Sequence, residues 1–204
     1  HLALAEAGMR DRIRNRWMTD GVTMIDPATV YIDASAEFSQ DVTIHPNTHI
    51  LGETRIASGC EIGPNSVLVD TAVGEDSEVV ASHVTGAVIG RRVKIGPFSR
   101  IRPDVSIEAD VNVGNYAEIK NSNIGSSSHI GHFSYVGDAD IGHNVNIGAG
   151  TVTVNYDGDK KHRTVVGEGA FIGSGSMLVA PIEIGKWAAT GAGAVVTHDV
   201  PSAE

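Results

Sequence analysis

Between Gly131 and Lys161 the chain carries its densest run of titratable, hydroxyl and amide side chains, GHFSYVGDADIGHNVNIGAGTVTVNYDGDKK. A histidine titrates near neutral pH and can take a proton as a nucleophile attacks. His132 is one of nine His residues, however, and by residue type alone each could equally serve a turn or ladder hydrogen bond. Tyr135 and Asn146 offer a hydroxyl and an amide to a polar ligand. Upstream, Arg102 and Lys120 stand eighteen residues apart. A dianion needs fixed cations, and arginine adds bidentate contacts.

The elements that must position these residues follow from a period of six. Ile44, Ile50, Ile56, Ile62 and Leu68 form one run, and Ile89, Ile95, Ile101, Ile107, Val113 and Ile119 a second. Val166, Ile172, Leu178 and Ile184 form a third, with Val196 in the same phase. Six is not a helical period; it marks a parallel β-helix in which three hexapeptides close one triangular coil. Eighteen residues per coil, from about Val42 to Val196, predict roughly eight or nine coils and a prism on the order of 40 Å tall. Arg102 and Lys120 each follow an inward isoleucine by one residue, so one coil of separation places them one above the other as a two-storey clamp. The phase slips at Leu68–Val73, over 80–88, at Ile119–Ile124 and at Val136–Ile141. The largest break lies between Ile147 and Val166, nineteen residues apart instead of eighteen. Its polar stretch, Asn155 to Arg163, is expected to leave the prism as a loop, where function tends to sit.

Residues 2–19 are expected to form a helix, with Leu2, Ala5, Met9, Ile13 and Trp17 on one face and Arg10, Arg12, Arg14 and Arg16 on a solvated face. Gly21 is placed to end it, and residues 22–40 then lead into the coils, with Pro27 at a turn. A net charge of -10 disfavours general nucleic-acid binding. No apolar run approaches the ~20 residues of a membrane span, and no signal peptide is visible. One cysteine, Cys60, excludes an intrachain disulfide and is compatible with a reducing cytosol. A slender, aromatic-poor solenoid has little core per residue, so side-by-side association is expected to add buried surface.

The ordered motifs His132-Phe133-Ser134-Tyr135-Val136-Gly137-Asp138-Ala139, Asn146 to Thr151, and Asn155 to Gly158 followed by Lys161 carry a resemblance over nearly the whole chain. With Arg102-Pro103 and Glu118 to Asn121, they resemble the acetyltransferase domain of bacterial bifunctional N-acetylglucosamine-1-phosphate uridyltransferase/glucosamine-1-phosphate acetyltransferases. The resemblance implies a left-handed all-β prism over 22–204 and, over 1–21, a linker helix from a uridyltransferase domain outside this chain. That other domain would carry the Mg²⁺ site; no metal is expected here. The implied reaction moves acetyl from acetyl-coenzyme A to the amine of glucosamine-1-phosphate, supplying UDP-GlcNAc and cell-envelope synthesis. His132 is then the general base, and Arg102, Lys120, Tyr135 and Asn146 bind the sugar phosphate. Ala149, Asn155, Tyr156, Ser174 and Ala192, with Lys161 nearby, contact coenzyme A. The family's further coenzyme A arginine lies on a tail beyond Glu204. A cytoplasmic homotrimer with sites between prisms is implied, with no nucleic acid or membrane partner.

Other hexapeptide proteins set the alternatives. A zinc-dependent γ-type carbonic anhydrase needs three His on facing walls, whereas His129 and His132, or His45 and His49, are pairs without an evident third. That reading would also leave the Tyr135 and Asn155-Tyr156-Asp157-Gly158 motifs unexplained. A hexapeptide acyltransferase with a different acceptor, such as serine or another amino sugar, and a non-enzymatic assembly scaffold are the other two alternatives.

Overall fold

Each hexapeptide lays down two or three residues of strand and turns before the strand can lengthen. In the computed structural model, which describes residues 1–203, these strands stack into three parallel sheets of ten, ten and nine strands. The first face runs from Thr23–Met24 to Ala189–Thr190, the second from Tyr31–Ile32 to Val195–Val196, and the third from Glu37–Phe38 to Ile182–Ile184. The architecture is the all-β solenoid of the left-handed hexapeptide type, with one short N-terminal helix. No helix among the described residues is long and apolar enough to cross a membrane.

Every third strand pairs, so each inward side chain rests on its equivalent one coil away; Ile101, Ile119 and Val136 form one such pile on the second face. The period-six residues from Ile44 to Ile184 are buried, with Ile44, Ile50, Ile62, Leu68, Ile119, Ile172 and Leu178 at 0% exposure, and Val196 at the end of the prism is partly buried. The five-residue steps at Leu68–Val73, Ile119–Ile124 and Val136–Ile141 share one corner, between the second and third faces. Asp70, Asn121 and Asp138 turn that corner with φ of 48°, 44° and 52°. Short Asp and Asn side chains tolerate that left-handed backbone best among non-glycine residues.

Two expectations about the coils are corrected. The coils begin at Thr23, not Val42, because Ile32 and Phe38 already hold the six-residue phase of Ile44. A 3-10 turn at Pro27–Thr29 separates them from Met24 and hides the start. The break after Ile147 is also larger than a one-residue slip. Thr153 occupies the next inward place, buried at 2%, with its hydroxyl satisfied by the N–H and C=O of Gly137. From Thr153 to Val166 is thirteen residues, where the same corner elsewhere takes five or six.

The helix spans Leu2–Thr19, and Gly21 (φ 100°) follows its end as expected. Its face is shorter than the spacing predicts. Trp17 is buried edge-on against Phe38 and Ile13 packs at the margin, but Leu2 is 85% exposed and Ala5 and Met9 are also exposed. Arg12 and Arg16 are solvated. Arg10 instead covers the Tyr31 ring, 4.7 Å from its centre, and Arg14 donates to the Pro27 carbonyl at 2.5 Å. The prism offers Arg10 a ring face and Arg14 a turn carbonyl that also accepts from the Val30 N–H, contacts that compensate in part for lost water.

Candidate active site

The turn between the first and second faces repeats in every coil, and its equivalent residues line up as a ladder. Gly150 donates to the His132 carbonyl at 2.7 Å, Gly175 to that of Ala149 at 2.7 Å and Gly193 to that of Ser174 at 2.8 Å. His132, Ala149, Ser174 and Ala192 therefore occupy one column, about 4.8 Å apart per coil. Their chain separations of 17, 25 and 18 residues conceal this, because the 25 contains the extruded loop. The His132 side chain is exposed and folds toward the coil below; a Cβ on Gly114 would lie 2.8 Å from its Nδ1.

The next position of the same turn changes character at this level. Phe98, Tyr116 and Phe133 stack with ring centres 5.3 and 5.2 Å apart, all at positive φ and more than half exposed. Above them stand Gly150, Gly175 and Gly193, at φ of 73°, 72° and 73°. The aromatic residues show that this backbone does not demand glycine. Nor does crowding: a Cβ on Gly193 would meet nothing within 4 Å, and on Gly150 nothing nearer than 3.8 Å. The chain thus leaves a bare strip above Phe133, beside the column of small residues. Sequence reasoning missed it, although the switch from Phe98, Tyr116 and Phe133 to glycine at one turn position was its signal.

A second group gathers where the second face meets the third. Ile101 pairs Ile119, and the Arg102 N–H reaches the Ile119 carbonyl at 2.9 Å, so Arg102 and Lys120 do stack. Arg102 Nη1 also pairs with Glu118 Oε1 at 2.9 Å. Tyr135 follows one coil on, opposite Glu118. Its ring lies across Gly137, where a Cβ would come within 2.4 Å of the hydroxyl. Lys161 returns from the loop beside Lys120. That ammonium, then partial burial, then Arg102 hold the Lys120 amine below its ordinary range, while Asp138 opposes them. The mutual repulsion of these cations would be relieved by a bound dianion.

Asn146 stands apart. It lies on the first face between His129 and Phe171, whereas Tyr135 lies on the second. Within one chain the two do not converge. A concavity of 390 Å³ on the third face, lined by residues such as Phe38, Arg55 and Ile89, includes no residue of the His132 column or of the Arg102–Lys120 group.

The loop after Val154 is a closed hairpin. Tyr156 bridges Lys161, Tyr156 donates to the Gly158 carbonyl at 2.6 Å, and His162 returns its N–H to the Asn155 carbonyl at 2.8 Å. Asp157 Oδ1 accepts the N–H groups of Asp159 and Lys160, and Oδ2 faces His162 Nε2 at 2.6 Å. The Lys160 and Asp159 amides and then His162 hold the Asp157 carboxyl far below the usual carboxylate range. A depressed carboxylate contributes stability that is present above its unfolded pKa and lost as pH falls through the folded one. Amide protection at Asp159 and Lys160 should therefore persist on acidification from pH 7 to about 4 and fail only below that, whereas Asp157→Ala, which removes the accepting oxygen, should lose it at every pH. Hydrogen exchange read by NMR checks both statements.

Comparison with known proteins adds the lineage. The "Bacterial transferase hexapeptide (six repeats)" model matches residues 35–70, and the "GMPPB C-terminal domain" model matches 83–182. The chain is 46% identical over 201 residues to the bifunctional protein GlmU of Shouchella clausii, covering 98% of this chain and 44% of that protein. The GlmU of Carboxydothermus hydrogenoformans is 48% identical over 200 residues, with 98% and 45% covered. The chain thus spans less than half the length of these relatives. Among solved structures, UDP-N-acetylglucosamine O-acyltransferase from Moraxella catarrhalis matches 58% of this chain and 65% of that one. At 18% identity and a TM-score of 0.39 the likeness is too loose to inform the site.

Proposed function

The chain belongs to the GlmU family of hexapeptide-repeat acyltransferases, and from that premise we propose that it transfers acetyl from acetyl-coenzyme A to the amine of glucosamine-1-phosphate. The observation that carries this reading is the column of His132, Ala149, Ser174 and Ala192 beside the glycine strip. An extended pantetheine arm lying along it would bring a thioester to His132. Asn155, Tyr156 and Lys161 of the loop would hold the rest of the donor.

The sugar phosphate would be held by Arg102 and Lys120, whose crowding with Lys161 favours a dianion. Tyr135 and Asn146 would orient the ring. Since these two side chains stand on different faces, a complete acceptor site needs two chains side by side, in keeping with a homotrimer whose sites lie between prisms. The sugar amine would attack the acetyl carbon as the neutral base; His132 would take its proton as the N–C bond forms and return it to sulfur as the C–S bond breaks, so that coenzyme A leaves as the thiol. The Ala149 N–H donates to no group among the described residues and would face the carbonyl oxygen as charge builds there. Fixing both substrates on one rigid ladder removes much of the entropic cost of encounter.

In this reading the work is cytoplasmic, its product serves UDP-GlcNAc and cell-envelope synthesis, and Mg²⁺ belongs to the uridyl-transfer half of such proteins. Release of free thiol from acetyl-coenzyme A with glucosamine-1-phosphate, and not with glucosamine, tests the reaction and the clamp together. Equal release with both sugars removes the clamp, and no release from the full-length protein removes the reaction. Arg102→Ala or Lys120→Ala should each raise the acceptor KM by about 10- to 100-fold, the scale of one hydrogen bond to a charged group. The donor KM should stay near its original value, as initial-rate kinetics would show.

A further inference from the structure

Asp138 is a buried carboxylate that the proposed chemistry does not use. It is 7% exposed and turns the corner between the second and third faces at φ 52°. Both oxygens are occupied: Oδ1 accepts from Asn121 Nδ2 at 2.5 Å, and Oδ2 from Asn155 Nδ2 at 2.5 Å. Its backbone is equally committed. The Asp138 N–H donates to the Lys120 carbonyl at 3.0 Å, and its carbonyl accepts from the Thr164 N–H at 3.1 Å. Asn155 opens the extruded loop and Thr164 closes it. One residue therefore ties both ends of the hairpin to the prism.

The chemistry also decides which way the Asn155 amide points. A carboxylate only accepts, so the Asn155 atom facing it must be the NH₂ group. That nitrogen also lies 3.4 Å from the Tyr135 hydroxyl. The Asn155 Oδ1 is left without a partner among the described residues, yet it is not among the buried unsatisfied atoms. It is therefore an open acceptor beside Tyr135. Asp138 meanwhile places a negative charge against Lys120 and Lys161. Burial pushes its carboxyl up, but the two asparagine amides and the two lysines outweigh that and keep it ionised.

We propose that Asp138 is a positioning residue: it clasps the 155–163 loop and sets the Asn155 amide so that Oδ1 faces the bound donor. The donor half of this statement rests on Asn155 contacting coenzyme A as proposed above; the clasp does not. In Asp138→Asn a single oxygen remains, so only one of Asn121 and Asn155 can still donate; the other stays bonded only by turning its amide over, which for Asn155 takes Oδ1 away from the donor. The exchange Asp138→Asn with Asn155→Asp restores every bond. The new amide accepts from Asn121 and donates to the new carboxylate, which still offers an acceptor outward.

The test compares wild type, D138N and D138N/N155D in the full-length protein. The expected result is a fall of about 10- to 100-fold in kcat/KM for acetyl-coenzyme A in D138N, with the acceptor KM unchanged or lower because a charge opposing the anion is gone. The double exchange is read by hydrogen exchange and not by donor kinetics, because Asn155 itself faces the proposed donor. Hydrogen exchange of the 155–164 segment is read in parallel, and should be faster in D138N and restored in the double exchange while the coils stay protected. A proportionate loss toward both substrates in D138N, or no recovery of loop protection in the double exchange, overturns the positioning role. If wild type transfers no acetyl, the functional reading fails, and the exchange rates alone then uphold or overturn the clasp.

Discussion

Replacing His132 with alanine should lower acetyl turnover by about 10²–10⁴-fold, the usual contribution of a positioned general base, and leave the prism folded. The separation of the two effects is built into the turn. The imidazole is exposed and hydrogen-bonds to no side chain among the described residues, while the backbone carbonyl that receives the Gly150 N–H survives the substitution. Thermal unfolding of the variant should match wild type, and substrate KM values should change little. Turnover within a few-fold of wild type would remove the assignment. A second variant probes placement instead of presence. At Gly114 a Cβ would press on His132 Nδ1, so Gly114→Ala should displace the ring and reduce kcat while the base itself remains.

The second large effect is on stability. Ile119→Ala should cost about 2–5 kcal/mol, the range for truncating a buried aliphatic side chain in a packed core. Ile119 is 0% exposed and touches the next coil on each side through Ile101 and Val136. A solenoid has no distant core to share the loss, because each coil packs only on its neighbours. The damage is thus local, and it falls between Glu118 and Lys120, directly under the cation group. Denaturant unfolding should show the loss, and the acceptor KM should rise with it. Val195→Ala, at 65% exposure on the same face, is the matched control and should lie within about 0.5 kcal/mol of wild type. Comparable losses in both would mean that the period-six pile does not bear the load assigned to it.

Much of this molecule is legible in its residue order. A side chain that must point inward every sixth residue has one geometric solution, and Ile44 to Leu68 state it plainly. The Arg102–Lys120 stacking was also legible, since no insertion separates them and eighteen residues close one coil. Where the period is carried by an unexpected residue type, the pattern goes quiet. Phe38 hid the first coils, and Thr153 hid the inward place before the loop. Helix packing was legible only near Trp17, because the spacing from Leu2 to Met9 describes a face that the prism does not reach.

By itself the sequence determined the repeat, the inward residues, the extruded loop and, through its ordered motifs, the family. The tertiary structure decided which distant residues share a place. Spacing counts residues along the chain, whereas stacking counts coils, and the two diverge wherever a loop leaves the prism or a corner takes five residues instead of six. That divergence concealed the His132–Ala149–Ser174–Ala192 column and the glycine strip beside it. It also put Asn146 and Tyr135 on different faces, and placed the Asp138 carboxylate between two asparagines seventeen residues away on either side.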